Sequence, residues 1–156
     1  MNHRKNLRLT GYDYTQSGCY FVTICTREKR CILSDIHPGD EVSRAQVRLT
    51  RLGQIVAERI GEEAEGFGIH VLAAVVMPNH IHLLLESDGT KPLGQYIGAV
   101  KSRTAYYWRQ EAPTVVTETL WQRGYYDHVI RNQQDLMEKW KYIDENPDKW
   151  VLGDRE

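Results

Sequence analysis

Apolar and polar positions follow two periods along this chain, and the switches between them mark its elements. "GCYFVTICTRE" (18–28) is rich in β-branched and aromatic residues and reads as a strand. In "LSDIHPGDEVSRAQVRLT" (33–50), His37-Pro38-Gly39-Asp40 punctuates a loop with short strands on either side. Leu52, Ile55, Val56 and Ile60 then recur at helical spacing, which predicts an amphipathic helix ended by Gly66 and Gly68. "IHVLAAVVMPNHIHLLLES" (69–87) holds two apolar runs split by Met77-Pro78-Asn79. Proline followed by asparagine suits a tight turn, so this segment predicts a hairpin with strands near 69–77 and 79–87. Leu93, Tyr96, Ile97 and Val100, continued by Ala105, Tyr107 and Trp108, outline a second amphipathic helix within 91–112. "TLWQRGYYDHVIR" (119–131) is aromatic and reads as extended. Leu136, Trp140 and Ile143 form the i, i+4, i+7 core stripe of a last helix, with Asn132 as its N-cap and Pro147 as its stop.

This order predicts a split βαβ arrangement of ferredoxin-like type: an α+β fold with an antiparallel sheet and an additional C-terminal helix. The chain has 156 residues, the length of one ordinary domain, and shows no repeat or linker, so a single domain over 1–156 is expected. At 41% hydrophobic residues it can bury a core, and no apolar run approaches the ~20 residues of a membrane helix. The polar N-terminus lacks a signal-peptide core, which predicts a cytoplasmic protein. Three cysteines without a CxxC pattern predict neither a disulfide framework nor a zinc knuckle. Cys19 and Cys25 share strand parity and read as small core residues.

The net charge of −1 is unremarkable, but its distribution is uneven. Residues 1–30 hold six Lys/Arg against two Asp/Glu, and 91–131 hold six against three, while the intervening and C-terminal stretches are acidic. Two basic segments could form one face for a polyanion, although a mixed solvated surface is the commoner meaning of such a pattern.

The least ordinary feature is the pair His80 and His82 inside an apolar run. On a strand they point the same way, with Cα atoms about 6.6 Å apart, while Ile81, Leu83 and Leu85 point toward the opposite face. Two imidazoles so placed can grip one divalent ion, provided a third ligand comes from elsewhere. They can equally be ordinary half-buried strand histidines. On the last helix Tyr142 and Asn146 lie four apart and share a face with Asp135 and Lys139. Asn146 offers a carbonyl oxygen to a hard cation. Tyr142 offers a phenol, a poor nucleophile unless activated, and a tyrosine at a helix edge also serves simply to pack.

"VVMPNHIHLLL", then "LWQRGYYDHVIR", then "YIDENP" with a C-terminal tryptophan resemble the REP-associated tyrosine transposases, within the single-tyrosine superfamily defined by a His-hydrophobic-His motif. The resemblance runs from residue 18 to about Trp150. It implies that His80 and His82 hold a divalent metal, magnesium or manganese, and that Tyr142 is the catalytic nucleophile. Asn146 falls where insertion-sequence relatives place a glutamine ligand. The resemblance implies cleavage and rejoining of single-stranded DNA beside hairpins through a 5′-phosphotyrosine link. It leaves open a homodimer or a monomer.

Lys101, Ser102, Arg103 and Arg109 then suit phosphate contacts, and Arg4 and Lys5, with Arg8, a basic arm. Arg123 joins them beside Trp121, which with Tyr106, Trp108, Tyr125 and Tyr126 could stack unpaired bases. His128 and Arg131 fit either a structural role or a place near the phosphate. Two other readings remain: a domesticated, non-catalytic nucleic-acid-binding protein of the same fold, and an unrelated metal hydrolase using a carboxylate such as Glu86 or Asp135.

Overall fold

The computed structural model describes residues 18–112 and 119–153. Its elements are β1 (Gly18–Cys25), β2 (Ser34–His37), β3 (Gln46–Leu49), α1 (Arg51–Ala64), β4 (Ile69–Val76), β5 (His80–Ser87), α2 (Leu93–Glu111), β6 (Tyr126–Val129) and α3 (Gln133–Val151). Four strands pair in the order β4-β5-β1-β6, every pair antiparallel. β2 and β3 form a separate hairpin. Set that hairpin aside and the remainder is β-α-β-β-α-β with α3 appended, the α+β fold that the residue pattern predicts.

Alternation decides which face of the sheet becomes the core. Tyr20, Val22 and Ile24 on β1 and Ile81, Leu83 and Leu85 on β5 are all fully buried. They pack with Leu52, Val56 and Ile60 of α1 and Leu93, Tyr96, Ile97 and Val100 of α2 in one cluster. Burying side chains of this size stabilises the fold by about 1.5–3 kcal/mol each before entropy is charged against it. Thr50 caps α1 by accepting the Gly53 amide at 3.1 Å. Gly68, at φ 64°, takes the left-handed conformation that ends the following turn.

The β4–β5 turn is closed by the Met77 amide donating to the His80 carbonyl at 2.8 Å. It is buried because the chain after β1 lies over it. The Leu33 amide donates to the Pro78 carbonyl, and the Thr26 amide and hydroxyl both donate to the Asn79 carbonyl. Every buried main-chain group of the turn that these bonds reach is thereby spared the cost of lost hydration.

Four local expectations change. Pro147 does not stop α3; the helix runs through it to Val151. Trp140 is not a core residue, being 42% exposed, and the buried positions are Ile143, Asn146, Pro147 and Trp150. The helix is therefore rotated so that a polar residue, Asn146, is buried in place of the tryptophan. Cys25 is buried as expected, but Cys19 is only half-buried on the face away from the α1–α2 core. Desolvation, then the nearby Glu86 charge, push its thiol above the ordinary range. Residues 119–131 are extended only in part: Trp121 makes a single bridge to Thr26, and β6 is confined to 126–129.

Candidate functional site

Because β5 alternates, the residues between its core leucines face the side of the sheet that α3 covers. His80 and His82 are 2% and 1% exposed. Their ring centroids lie 4.6 Å apart. The register places Cys25 opposite His80 and Thr23 opposite His82, so β1 supplies the floor beside both rings. Phe21, two residues along on the same face, stacks on His82 with centroids 5.2 Å apart.

A hydrogen bond to an acceptor-only group fixes which nitrogen His80 offers. The Asn79 Nδ2 donates to the Lys29 carbonyl at 3.5 Å, which turns its Oδ1 toward His80 Nδ1 at 2.6 Å. An amide oxygen only accepts, so His80 Nδ1 carries the proton and Nε2 carries the lone pair. His82 Nδ1 is bonded to Thr23 Oγ1 at 2.8 Å. A hydroxyl can accept from that nitrogen or donate to it, so this bond is compatible with the same tautomer without fixing it. Nε2 of both rings is buried. A second ring nitrogen held by a neighbour, with the first left as ligand, is the arrangement of metal-binding imidazoles.

α3 brings the other two predicted residues to this pair. The Tyr142 ring stands edge-on to His82 at 5.3 Å and to Phe21 at 5.8 Å. Lys149, seven residues on and so on the same helix face, lies 4.9 Å from the Tyr142 ring centroid. Asn146 is 4% exposed, one turn beyond Tyr142, and Trp150 closes the group at 6.3 Å from His80. His80, His82 and Tyr142 therefore converge within one chain, with Asn146 buried one turn further along the same helix. Among the described residues, no group of three or more His, Cys, Asp or Glu is placed to hold a metal. What the site offers is two neighbouring imidazoles, with a buried amide, Asn146, on the helix that covers them. That suits a divalent cation that takes two nitrogens here and completes its shell with water and substrate oxygen.

α3 is aimed by its ends. Asn132 Oδ1 accepts the Asp135 amide at 2.8 Å, as expected of its N-cap. Asp135 in turn accepts from the Arg131 amide and bonds His128 Nε2 at 2.7 Å. Burial raises the Asp135 carboxyl, but those two bonds together with the His128 and Lys139 charges outweigh it and hold the group below the ordinary carboxylate range. His128 thus ties β6 to the first turn of α3.

The predicted DNA contacts are not brought to the histidines. Lys101, Ser102, Arg103 and Arg109 lie on α2, across the sheet. The Lys101 ammonium donates to the Gln122 and Gly124 carbonyls. Trp121 is 5% exposed and its indole donates to the Lys101 carbonyl, so the two side chains pin one loop. Ser102 bonds the Ala99 carbonyl, Arg103 pairs with Glu63 at 3.3 Å and Arg109 bonds the Ala105 carbonyl. Arg123 and Tyr106 are exposed, and Trp108 and Tyr125 pack against the core. Tyr126 is half-buried. Arg4, Lys5 and Arg8 lie outside the described residues. Reading the sequence missed Thr23, Asn79 and Phe21. Asn79 directly precedes His80, and its amide was the available signal; Thr23 is identified only by strand register.

The profile described as Transposase IS200 like matches residues 41–146, a span that contains both histidines and Tyr142 and ends on Asn146. A Haemophilus influenzae protein named only as uncharacterized is 27% identical over 174 residues, covering 96% of this chain and 91% of that protein. A second protein of that organism bears the name of the REP-associated tyrosine transposases. It is 26% identical over 88% of this chain and 74% of its own length. Among solved structures, a REP-associated tyrosine transposase bound to a REP hairpin matches with a TM-score of 0.65 at 22% identity. That match covers 92% of this chain and 73% of that one. A Deinococcus radiodurans chain named as a transposase matches at 0.53 with 19% identity, over 88% and 95%. At these identities the structural likenesses speak to the fold.

Proposed function

The chain belongs to the IS200-like transposase family, and from that premise we propose that it is a metal-dependent strand transferase acting on single-stranded DNA beside hairpins. One observation carries the reading: the Tyr142 ring lies 5.3 Å from the ring of His82, itself 4.6 Å from His80, within the same subunit. His80 and His82 would hold magnesium or manganese through Nε2, with the Asn146 amide supplying a further oxygen directly or through water. Bound there, the ion would polarise a phosphate oxygen and stabilise charge developing at phosphorus.

The chain's own groups do the rest. Asn79 keeps His80 in the ligating tautomer, and the Thr23 hydroxyl accommodates the same tautomer at His82. Tyr142 Oη attacks phosphorus and its proton passes to solvent. The bond from phosphorus to the 3′ oxygen breaks, leaving a 5′-phosphotyrosine and a free 3′-OH. Attack by another 3′-OH reverses the step and rejoins strands, and no nucleotide cofactor is required because the ester bond is conserved. Holding the reactants in place is what the buried side chains contribute. Hairpin DNA as partner is supported by the fold-related transposase described bound to a REP hairpin.

Incubating the protein with a labelled hairpin-flanked oligonucleotide and manganese should give a covalent adduct that a chelator prevents. Tyr142→Phe should abolish the adduct and retain DNA binding. A folded, metal-loaded wild type that binds the hairpin without ever forming an adduct would replace this reading with the non-catalytic one.

A further inference from the structure

We propose that Arg44, in the loop joining β2 to β3, is a positioning residue for Tyr142, strapping the tyrosine-bearing stretch of α3 from its outer side. The inference rests on the strand-transferase reading of that helix. Arg44 Nη1 donates to Asp144 Oδ2 at 2.9 Å and Nη2 to the Asp144 carbonyl at 2.8 Å. Nε and Nη2 both donate to Asp148 Oδ2, at 3.1 and 2.9 Å, and the neighbouring Ala45 amide donates to Asp148 Oδ1 at 2.9 Å. One fork thus grips two successive turns of α3.

Where it grips is informative. Asp144 and Asp148 flank Pro147, which has no amide proton to give the Ile143 carbonyl. The helix is weakest at that turn, with Tyr142 just before it and Trp150 just after. Ile143, Asn146 and Pro147 face inward on the site side, so α3 is held between the sheet and the strap. The strap is itself preorganised. Asp40 Oδ1 accepts from the Val42 and Ser43 amides and the Ser43 hydroxyl, and the Asp40 amide donates to the Ser43 carbonyl. It is rooted beside the site, because Ser34 Oγ on β2 donates to the Val76 carbonyl, next to the β4–β5 turn.

Exposed ion pairs add little to global stability, and Arg44 is 56% exposed in its side chain. A misplacement of about 1 Å at a reacting group can still cost ~100-fold in rate. Arg44→Ala should therefore slow adduct formation by about 10- to 100-fold with unchanged affinity for hairpin DNA and a nearly unchanged Tm. Arg44→Lys should recover only part of the rate, since a point charge cannot reproduce the fork. Amides of residues 144–151 should exchange faster in Arg44→Ala while those of β1 and β5 do not. Asp144→Asn with Asp148→Asn tests the same contact from the helix side if Arg44→Ala fails to fold. Wild type and variants forming adduct at equal rates would overturn the inference and leave the function standing. No adduct in wild type would sink the function, and the exchange measurement would then decide the strap alone: equal protection in α3 overturns it.

Discussion

The two faces of the sheet are built by opposite rules. The face toward α1 and α2 is a continuous apolar layer of tyrosine, valine, isoleucine and leucine held chiefly by packed area, with the Tyr96 hydroxyl donating to the Ile60 carbonyl at its edge. The face toward α3 buries two imidazoles, an amide and half of a phenol, and each imidazole and the phenol has a specified neighbour. The first arrangement is favourable by area alone. The second costs desolvation unless every polar group finds its bond. A fold seeking only stability has little reason to bury His80, His82 and Asn146 on one side of the sheet, and that burial is why the proposed chemistry is assigned to this face.

Adjacent residues of β5 test this contrast most directly. His82→Ala should reduce metal-dependent adduct formation by at least ~100-fold, because the charge stabilisation lost is worth several kcal/mol at about 1.4 kcal/mol per tenfold. Its Tm should fall less than that of the neighbouring core variant. Leu83→Ala should do the reverse: a loss of about 2–5 kcal/mol in denaturant unfolding, with the residual folded fraction still able to form adduct. Equal stability losses for the two would erase the distinction between the faces. Asn79→Ala sharpens it further. Freed of its partner, His80 loses its fixed tautomer, and manganese affinity measured by calorimetry should weaken by about 10- to 100-fold with little change in unfolding.

The apolar face was legible because it obeys periods that sequence displays. Ile81, Leu83 and Leu85 alternate, Leu52, Val56 and Ile60 recur helically, and both patterns are satisfied as read. Of the site, the candidates could be named and their sharing of a strand or helix face foreseen. Their supports could not. Thr23 meets His82 across 59 residues, and Arg44 meets Asp148 across 104. Neither pairing leaves a local pattern. The same long-range contacts explain the misread helix. Pro147 and Trp140 obey local rules that the packing of α3 against the sheet overrides.

The smallest expected effect lies at the far end of α3 and separates holding the helix from starting it. Asn132 has extended φ and ψ and accepts the Asp135 amide through its side chain, satisfying one of the first-turn amides. Asn132→Ala should cost about 1 kcal/mol in unfolding free energy, and Asn132→Ser much less, since a serine hydroxyl accepts the same amide. Neither should alter the rate of adduct formation in the folded protein. Asp135 still anchors that turn through His128 and the Arg131 amide, and Tyr142 sits more than two turns away under separate restraint from Phe21 and His82. A cap variant that slowed the chemistry as much as it loosened the helix would mean that α3 moves as one rigid rod. The placement of the phenol would then be set along its whole length instead of at the turn carrying Tyr142 and Asn146.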